Sequence, residues 1–297
     1  MNTTSRLLFS PNFKSSKTVA RTSLFFLLFF FALQNALHAQ GNLMIFPPRV
    51  VFKGNTHSEV LGVTNIGADS AVYVLSFLQY RMKEDGSLEE ISAPEPGQQF
   101  ADAYVRFFPR QVMLGPKETQ SVRMQVRKPA NLPAGEYRSH LYFRAVPRST
   151  EQGIIRGATA DSSVSFELIP IFGMTIPVII RHGELEASVS IGEVYIAHDS
   201  TGSPTSINVH CTRKGEASVY VNVIATYYPP TGKPAVVASL NGVAIYTPNP
   251  ARLFSLALTQ QEKPSLQSGR LFVEIIDASD TNKQVLDKKE IFLKSGS

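Results

Sequence analysis

The residues that could carry out acid–base or metal chemistry are present, but their spacing does not fit such a site. The six histidines are His38, His57, His140, His182, His198 and His210. None belongs to a HExxH pair or a Cys/His ligand pattern, so no zinc site is predicted. His198, Asp199 and Ser200 supply the three residue types of a hydrolytic triad. Consecutive residues on a turn cannot adopt that geometry, however, and no nucleophile elbow or phosphate loop occurs. The sequence therefore predicts no enzyme, no cofactor, no metal and no small-molecule substrate.

Charge argues against a nucleic-acid partner. The 297 residues carry a net charge of +5, but Arg6, Lys14, Lys17 and Arg21 lie in the first 39 residues, which hold no acid. The remaining chain is nearly neutral, with a net charge of +1. Because phosphate binding needs a concentrated basic surface, we expect no nucleic acid.

The N-terminus has the pattern of an export signal. The basic stretch that ends at Arg21 precedes an apolar run of about ten residues, 24–33, and the small-residue site Leu37-His38-Ala39. A membrane span needs roughly 20 apolar residues, so cleavage is favoured over anchoring. We predict a cleaved signal peptide over residues 1–39 and an exported protein that begins at Gln40.

Alternating apolar and polar residues dominate the remaining chain, and this period of two is typical of β-strands. The runs are rich in Val, Ile, Phe and Tyr and are separated by Gly, Pro, Asn and Asp turns. Examples are residues 49–52, 72–78, 121–127, 138–143, 164–180, 218–223, 253–258 and 271–276. No segment of helical length has a period of 3.6. The single cysteine, Cys211, excludes an intrachain disulfide, and its alternating surroundings predict a buried position in a strand.

We predict an all-β protein with two immunoglobulin-like sandwich domains in tandem after a cleaved signal peptide. The best boundary is Arg181-His182-Gly183, where one long strand pattern ends and a new alternation begins. The first domain would then span residues 40–182 and the second residues 183–297. Residues 147–162 are polar and contain glycine, which predicts a mobile loop before the last strand of the first domain.

Five segments of the first domain, taken in order, resemble the first domain of periplasmic pilus chaperones, which serve chaperone/usher secretion. They are FPPRVVF (46–52), LGVTN (61–65), FPRQVMLGP (108–116), QSVRM (120–124) and GEYRSHLYFR (135–144). The resemblance covers roughly residues 43–182. The second domain is similar only in size, β character and position.

The resemblance implies that the protein binds a pilus or fimbrial subunit that lacks its last strand, and delivers it to an outer-membrane usher. The chaperone lends a long edge strand whose alternate apolar side chains fill the gap in the subunit. Val164, Phe166, Leu168 and Phe172 would form that face here. The alternative is that the same alternation packs into the protein's own core.

The resemblance also implies a carboxylate anchor for the subunit's C-terminus, formed by an arginine of the first strand and a lysine of the last. Arg49 matches the arginine, and a guanidinium suits bidentate capture of a carboxylate. The alternative for Arg49 is an exposed strand charge. Pro177 stands where the lysine belongs, so the anchor would use Arg49 alone, Arg181, or a different geometry.

A second departure concerns the acidic residue that the family places before the aromatic pair of its sixth strand and ties to an interdomain arginine. Arg138 stands at about that position. The sequence therefore does not predict the family's interdomain ion pair.

Two functions from different classes remain open. One is the periplasmic subunit chaperone. The other is an exported two-domain immunoglobulin-like binding or structural protein that does not lend a strand, because fold alone does not give function. A long exposed apolar edge promotes aggregation, so a self-capping dimer of the free chaperone is a further expectation.

Overall fold

The computed structural model describes residues 43–147, 171–258, 266, 268–279 and 282–293. The predicted signal peptide, nearly all of the predicted loop over 147–162, and Val164, Phe166 and Leu168 lie outside these residues. Within the described part of the chain, the only helix is the 3-10 turn Asp102–Tyr104. No helix there is long and apolar enough to cross a membrane.

Eleven strands build the first domain. They are β1 (Leu43–Phe46), β2 (Val50–Lys53), β3 (Ser58–Asn65), β4 (Ala71–Leu78), β5 (Tyr80–Met82), β6 (Leu88–Glu90), β7 (Val105–Phe108), β8 (Gln111–Leu114), β9 (Thr119–Val126), β10 (Gly135–Ala145) and β11 (Gly173–His182). One sheet has the order β1-β3-β9-β7 and the other β2-β11-β10-β4-β8, while β5 and β6 form a separate hairpin. The sheet β1-β3-β9-β7 therefore faces the sheet β2-β11-β10-β4-β8, as in an immunoglobulin-like sandwich.

The first domain buries one apolar face of each sheet. Its core includes Phe52, Leu61, Met124 and Phe143, all completely buried. These side chains come from β2, β3, β9 and β10, so both sheets contribute to the same core. Inward and outward residues alternate along β9, as the period of two requires.

Seven strands build the second domain, again as two sheets. They are β12 (Ala187–His198), β13 (Pro204–Gly215), β14 (Val219–Tyr228), β15 (Ala235–Ile245), β16 (Ala251–Ala257), β17 (Gly269–Asp277) and β18 (Val285–Leu293). The sheet orders are β12-β13-β16 and β15-β14-β17-β18. Ile207, Val221, Phe254 and Val273 belong to the buried core between them. The prediction of an all-β protein made of two sandwiches is confirmed.

Cys211 is completely buried in β13, as the alternation around it predicted. Burial raises the pKa of its thiol to about 12, so the thiolate is not formed at neutral pH. The residue is therefore a small apolar member of the second core, not a reactive group.

A third, smaller cluster joins the two domains. Met82 and Ile179 of the first domain pack against Ala244 and Tyr246 of the second, and all four are buried. Because this cluster is separate from both cores, its stability depends on the relative placement of the domains.

Candidate functional site

The last strand of the first domain, β11, is covered unequally along its two edges. On one edge it pairs with β10 over its whole length, from Gly173 to His182. On the other edge it pairs with β2, in parallel, only from Val178 to Arg181. No strand of the described residues covers that edge over residues 173–177. We call residues 178–181 the anchored half of β11 and residues 173–177 the open half.

One face of β11 is apolar in both halves. Ile176, Val178 and Ile180 point into the core of the first domain and are buried. Met174 has the same phase but is 39% exposed, and Phe172, just before the strand, is 48% exposed. The apolar face therefore continues beyond the region that the domain's own core covers.

Arg49 lies where the open half ends. The chain bends at Pro47 and Pro48 between β1, which pairs with β3, and β2, which pairs with β11. The first pair of the parallel ladder joins Val50 to Val178, so Arg49 stands directly beside the end of the open half. The bend thus places a guanidinium at the point where the edge of β11 changes from uncovered to covered.

The Arg49 guanidinium stacks on a ring of the second domain and is otherwise unoccupied. Its Cζ lies 3.7 Å from the centroid of Tyr220 in β14. Among the described residues it has no hydrogen-bond partner and no carboxylate partner. Burial lowers the pKa of Arg49 from its usual value, although an arginine remains charged at neutral pH. This arrangement leaves its donors available to an anion that enters the cleft, by which we mean the boundary between the domains beside Arg49 and Tyr220.

Arg181, the other predicted anchor residue, is engaged by the protein itself. Its Nε donates to Oε2 of Glu136 at 3.0 Å, and its Nη2 donates to the backbone oxygen of Ser218 at 2.6 Å. Glu136 lies directly opposite Arg181 in the ladder of β10 and β11. Arg181 therefore has less capacity for a partner's carboxylate than Arg49 has.

The Glu136 carboxylate connects the two domains, and its side chain is fully buried. Besides Arg181, it accepts hydrogen bonds from the backbone N–H and the hydroxyl of Ser218 and from Thr247 Oγ1. Both of these partners belong to the second domain. A buried carboxylate with this many donors is satisfied, which is the condition under which a buried ion pair is tolerated.

The family's acidic position does not fall at Arg138, as the sequence comparison suggested, but at Glu136, two residues earlier in β10. Glu136 forms its ion pair with Arg181 inside the first domain and reaches the second domain through Ser218 and Thr247. In a strand, residues two apart share a face, so both side chains point towards the second domain. No local sequence pattern located the acid, because its position depends on the antiparallel register, which pairs Gly135 with His182 and Glu136 with Arg181.

Arg138 and His140, the next residues on that face of β10, are also buried, and each is 2% exposed. Arg138 stacks on Tyr246 of the second domain, with its Cζ 4.2 Å from the ring centroid. His140 meets Tyr80 and Tyr246 edge to face. Burial, followed by the nearby charge of Arg138, lowers the pKa of His140 to about 3, so its ring is neutral at physiological pH.

Pro177 lies opposite His140, at the junction of the open and anchored halves. Proline cannot donate to a ladder and is confined to positions where its missing N–H is not needed. It supplies no charge to the cleft. The cation expected at this strand position from the resemblance is absent, and Arg138, on the adjacent strand, is the neighbouring buried cation.

The hairpin β5–β6 reaches across to the second domain and fixes its position. Leu253 N–H donates to the backbone oxygen of Glu84 at 2.8 Å, and Asn249 Nδ2 donates to that of Met82 at 2.7 Å. Gly86, in the turn of the hairpin with φ of +84°, lies so close to Arg252 that a Cβ would collide with the guanidinium. These contacts hold the two walls of the cleft in one arrangement.

His198, Asp199 and Ser200, whose residue types match a hydrolytic triad, lie at the end of β12 and in the turn that follows it. The Asp199 carboxylate accepts hydrogen bonds from the backbone N–H groups of Thr201 and Ser203. It therefore shapes the turn after β12. Within the described residues, no three His, Cys, Asp or Glu side chains are grouped so as to hold a metal ion.

Comparisons with protein-family models and with curated proteins found no match. Similar solved structures include the Pseudomonas aeruginosa chaperone CupB2, with 14% identity, 85% of this chain and 100% of that chain covered, and a TM-score of 0.40. The E. coli chaperone DraB has 13% identity, coverages of 84% and 96%, and a TM-score of 0.39. A chain of the CsuC–CsuE chaperone–tip adhesion subunit pre-assembly complex from Acinetobacter baumannii has 13% identity, coverages of 86% and 100%, and a TM-score of 0.41.

These three structures contain chaperones, the class of protein to which the sequence resemblance pointed. Their similarity to this chain is distant, however, and carries no conclusion about what the chain binds.

Proposed function

We propose that this protein is a periplasmic chaperone that binds an incomplete pilus or fimbrial subunit by lending it the edge of β11. One observation carries the proposal: the open half of β11 has an uncovered edge, its apolar face continues into the exposed Met174 and Phe172, and it ends at an unoccupied arginine. An extended segment can add to such an edge through main-chain hydrogen bonds, while alternate side chains enter the partner's groove.

The direction of the added strand follows from the position of Arg49. The strand β2 runs parallel to β11 and occupies its edge from Val178 onward. A subunit strand on the open half would therefore lie in line with β2 and meet its N-terminal end. Only a strand that runs parallel to β11 brings its own C-terminal end to that point. A terminal carboxylate would then face Arg49, whose fork geometry suits a carboxylate.

The lent face would comprise Phe172 and Met174, followed upstream by Leu168, Phe166 and Val164. All five positions are even-numbered, so these side chains would share one face if the strand continued through them. Their part in binding stays a prediction. The outer-membrane usher, a self-capping dimer of the free protein and cleavage of the signal peptide are likewise expectations that accompany the proposal.

The decisive experiment compares changes at exposed apolar residues on the two faces of the chain around the start of β11. The double variant Phe172→Ser and Met174→Ser changes the apolar face, whereas Ile171→Ser changes a 53% exposed residue of the opposite phase. The measurements are the amount of subunit that co-purifies and the melting temperature of the free protein. We expect the double variant to lose the subunit without a large drop in melting temperature, and Ile171→Ser to retain it.

Equal capture of subunit by the double variant and the wild type would exclude strand lending through this face. The remaining function would then be the two-domain binding or structural protein. A large drop in melting temperature of the free double variant would assign these side chains to the protein's own core.

A further inference from the structure

The buried part of the domain interface contains more positive charge than the described residues neutralise there. The first domain contributes three guanidinium groups, Arg49, Arg138 and Arg181, and one buried carboxylate, Glu136, while Glu84 and Asp85 of the hairpin are exposed. That carboxylate is already bound by Arg181, Ser218 and Thr247. Arg49 and Arg138 have no carboxylate partner within the described part of the chain. Arg49 lies in the cleft, where a subunit carboxylate is proposed to bind, so Arg138 is the cation without an assigned counter-ion.

Arg138 is also incompletely hydrogen-bonded. Its Nη2 donates to the backbone oxygen of Thr247 over 3.4 Å, which is a long contact. Its Nε and Nη1 are buried and have no partner. Burial lowers the pKa of Arg138, which reflects the cost of removing the charge from water, yet the group stays charged. Buried donors without a partner are rare in native proteins, and each calls for a ligand or an ordered water.

His140 adds donor capacity at the same place. It lies two residues along the same face of β10, and both of its ring nitrogens are buried without a partner. A neutral imidazole offers one N–H donor. Tyr246 contacts both residues through its ring, so Arg138 and His140 border one buried region of the interface.

We propose that this region binds a small monovalent anion, of halide or carboxylate chemistry, that accepts hydrogen bonds from Arg138 and His140. A water molecule could satisfy the donors but would leave the guanidinium without a counter-charge in a buried site. The anion has two sources: a free ion in the unbound protein, or the terminal carboxylate of a bound subunit that reaches past Arg49. The second source rests on the proposed function, whereas the first does not.

The first experiment uses chloride and the full-length mature protein. Melting temperature is measured while chloride replaces gluconate, a much larger anion, at constant ionic strength. We expect the melting temperature of the wild type to rise with chloride, because a ligand that binds only the folded state stabilises it. The variant Arg138→Leu should show no dependence on chloride. In gluconate it should melt no lower than the wild type, because an unpaired buried charge is replaced by an apolar group.

Two results would overturn the anion site. One is a wild-type melting temperature that is the same in chloride and gluconate. The other comes from crystals of the wild type soaked in bromide: the absence of an anomalous peak beside Arg138 would indicate water alone. Because the bromide measurement needs no variant, the proposal can be tested even if Arg138→Leu does not fold.

The two sources are separated by repeating the chloride titration on the complex with co-purified subunit. Loss of the chloride dependence in the complex would assign the site to the subunit's carboxylate, and its persistence would assign it to a free ion. If no subunit co-purifies, the proposed function fails, but the chloride and bromide results on the free protein still decide whether the anion site exists.

Discussion

The anchored and open halves of β11 have the same alternation of side chains but different neighbours. In the anchored half, β2 covers one edge, β10 covers the other, and Ile180 is completely buried. In the open half, β2 is absent; Ile176 is still buried, whereas Met174, in the same phase, is 39% exposed. Residue pattern determines which face of a strand is apolar, whereas the segments packed around the strand determine how far along it that face is covered.

The largest expected effect lies in the anchored half. Ile180→Ala should lower the free energy of unfolding by about 2–5 kcal/mol, because it removes buried methyl groups and leaves a cavity. Met174→Ala, in the open half, is the matched control and should change it little. Urea unfolding of both variants measures the difference. Similar losses in the two variants would show that the halves are equally buried in solution.

The buried Glu136–Arg181 ion pair at the domain interface should come next. Glu136→Gln removes the charge that Arg181 and the Ser218 donors contact, and we expect a loss of about 1.5–3 kcal/mol in stability. Glu89→Gln is the control, since Glu89 pairs with Arg81 on the exposed hairpin and should matter little. Thermal unfolding of both variants provides the measurement. An unchanged melting temperature for Glu136→Gln would show that the buried pair does not hold the domains together.

Arg49 should affect binding more than stability. Arg49→Ala removes a charge-assisted hydrogen bond to the subunit carboxylate, which we expect to cost about 1.5–3 kcal/mol of binding free energy. The control is Arg110→Ala, because Arg110 also stacks on an aromatic ring, 4.0 Å from Phe107, but belongs to a different part of the first domain. Affinity for the purified subunit and melting temperature are measured together. Equal affinity for Arg49→Ala and wild type would exclude Arg49 as the anchor.

The smallest effect at neutral pH concerns His140, opposite the junction of the two halves. Its folded-state pKa of about 3 lies below the unfolded value of about 6.5, so between these values the unfolded chain binds a proton that the folded protein does not. Stability should therefore fall as pH decreases below about 6.5, by about 1.4 kcal/mol per pH unit and about 2 kcal/mol at pH 5. Charged Arg138 and the rings of Tyr80 and Tyr246 face the imidazole.

The measurement is urea unfolding at pH 7 and pH 5. His140→Phe should remove that part of the pH dependence, while His57→Gln, a change at an exposed histidine, should leave it intact. A wild type and a His140→Phe variant that lose the same stability at pH 5 would show that His140 is protonated in the folded state as well.

Sequence alone determined the features that depend on local pattern. A period of two, with β-branched and aromatic residues between turn signals, indicated strands throughout and two sandwiches, because a pleated strand places alternate residues on opposite faces. The same alternation predicted that Cys211 is buried. The order of short motifs between residues 46 and 144 indicated a chaperone, but it did so through resemblance and not through the physics of the residues.

Only the tertiary structure decided which residues meet across the domain interface. Glu136, not a residue at position 138, holds Arg181, because the register of β10 against β11 sets the opposing pair and a shift of two residues leaves the alternation unchanged. The open half of β11 likewise depends on where β2 begins to pair, which no local pattern encodes. The unpartnered donors of Arg138 and His140 exist only because the second domain covers them. Local pattern repeats every two residues, whereas register, coverage and burial are properties of contacts between segments far apart in the chain.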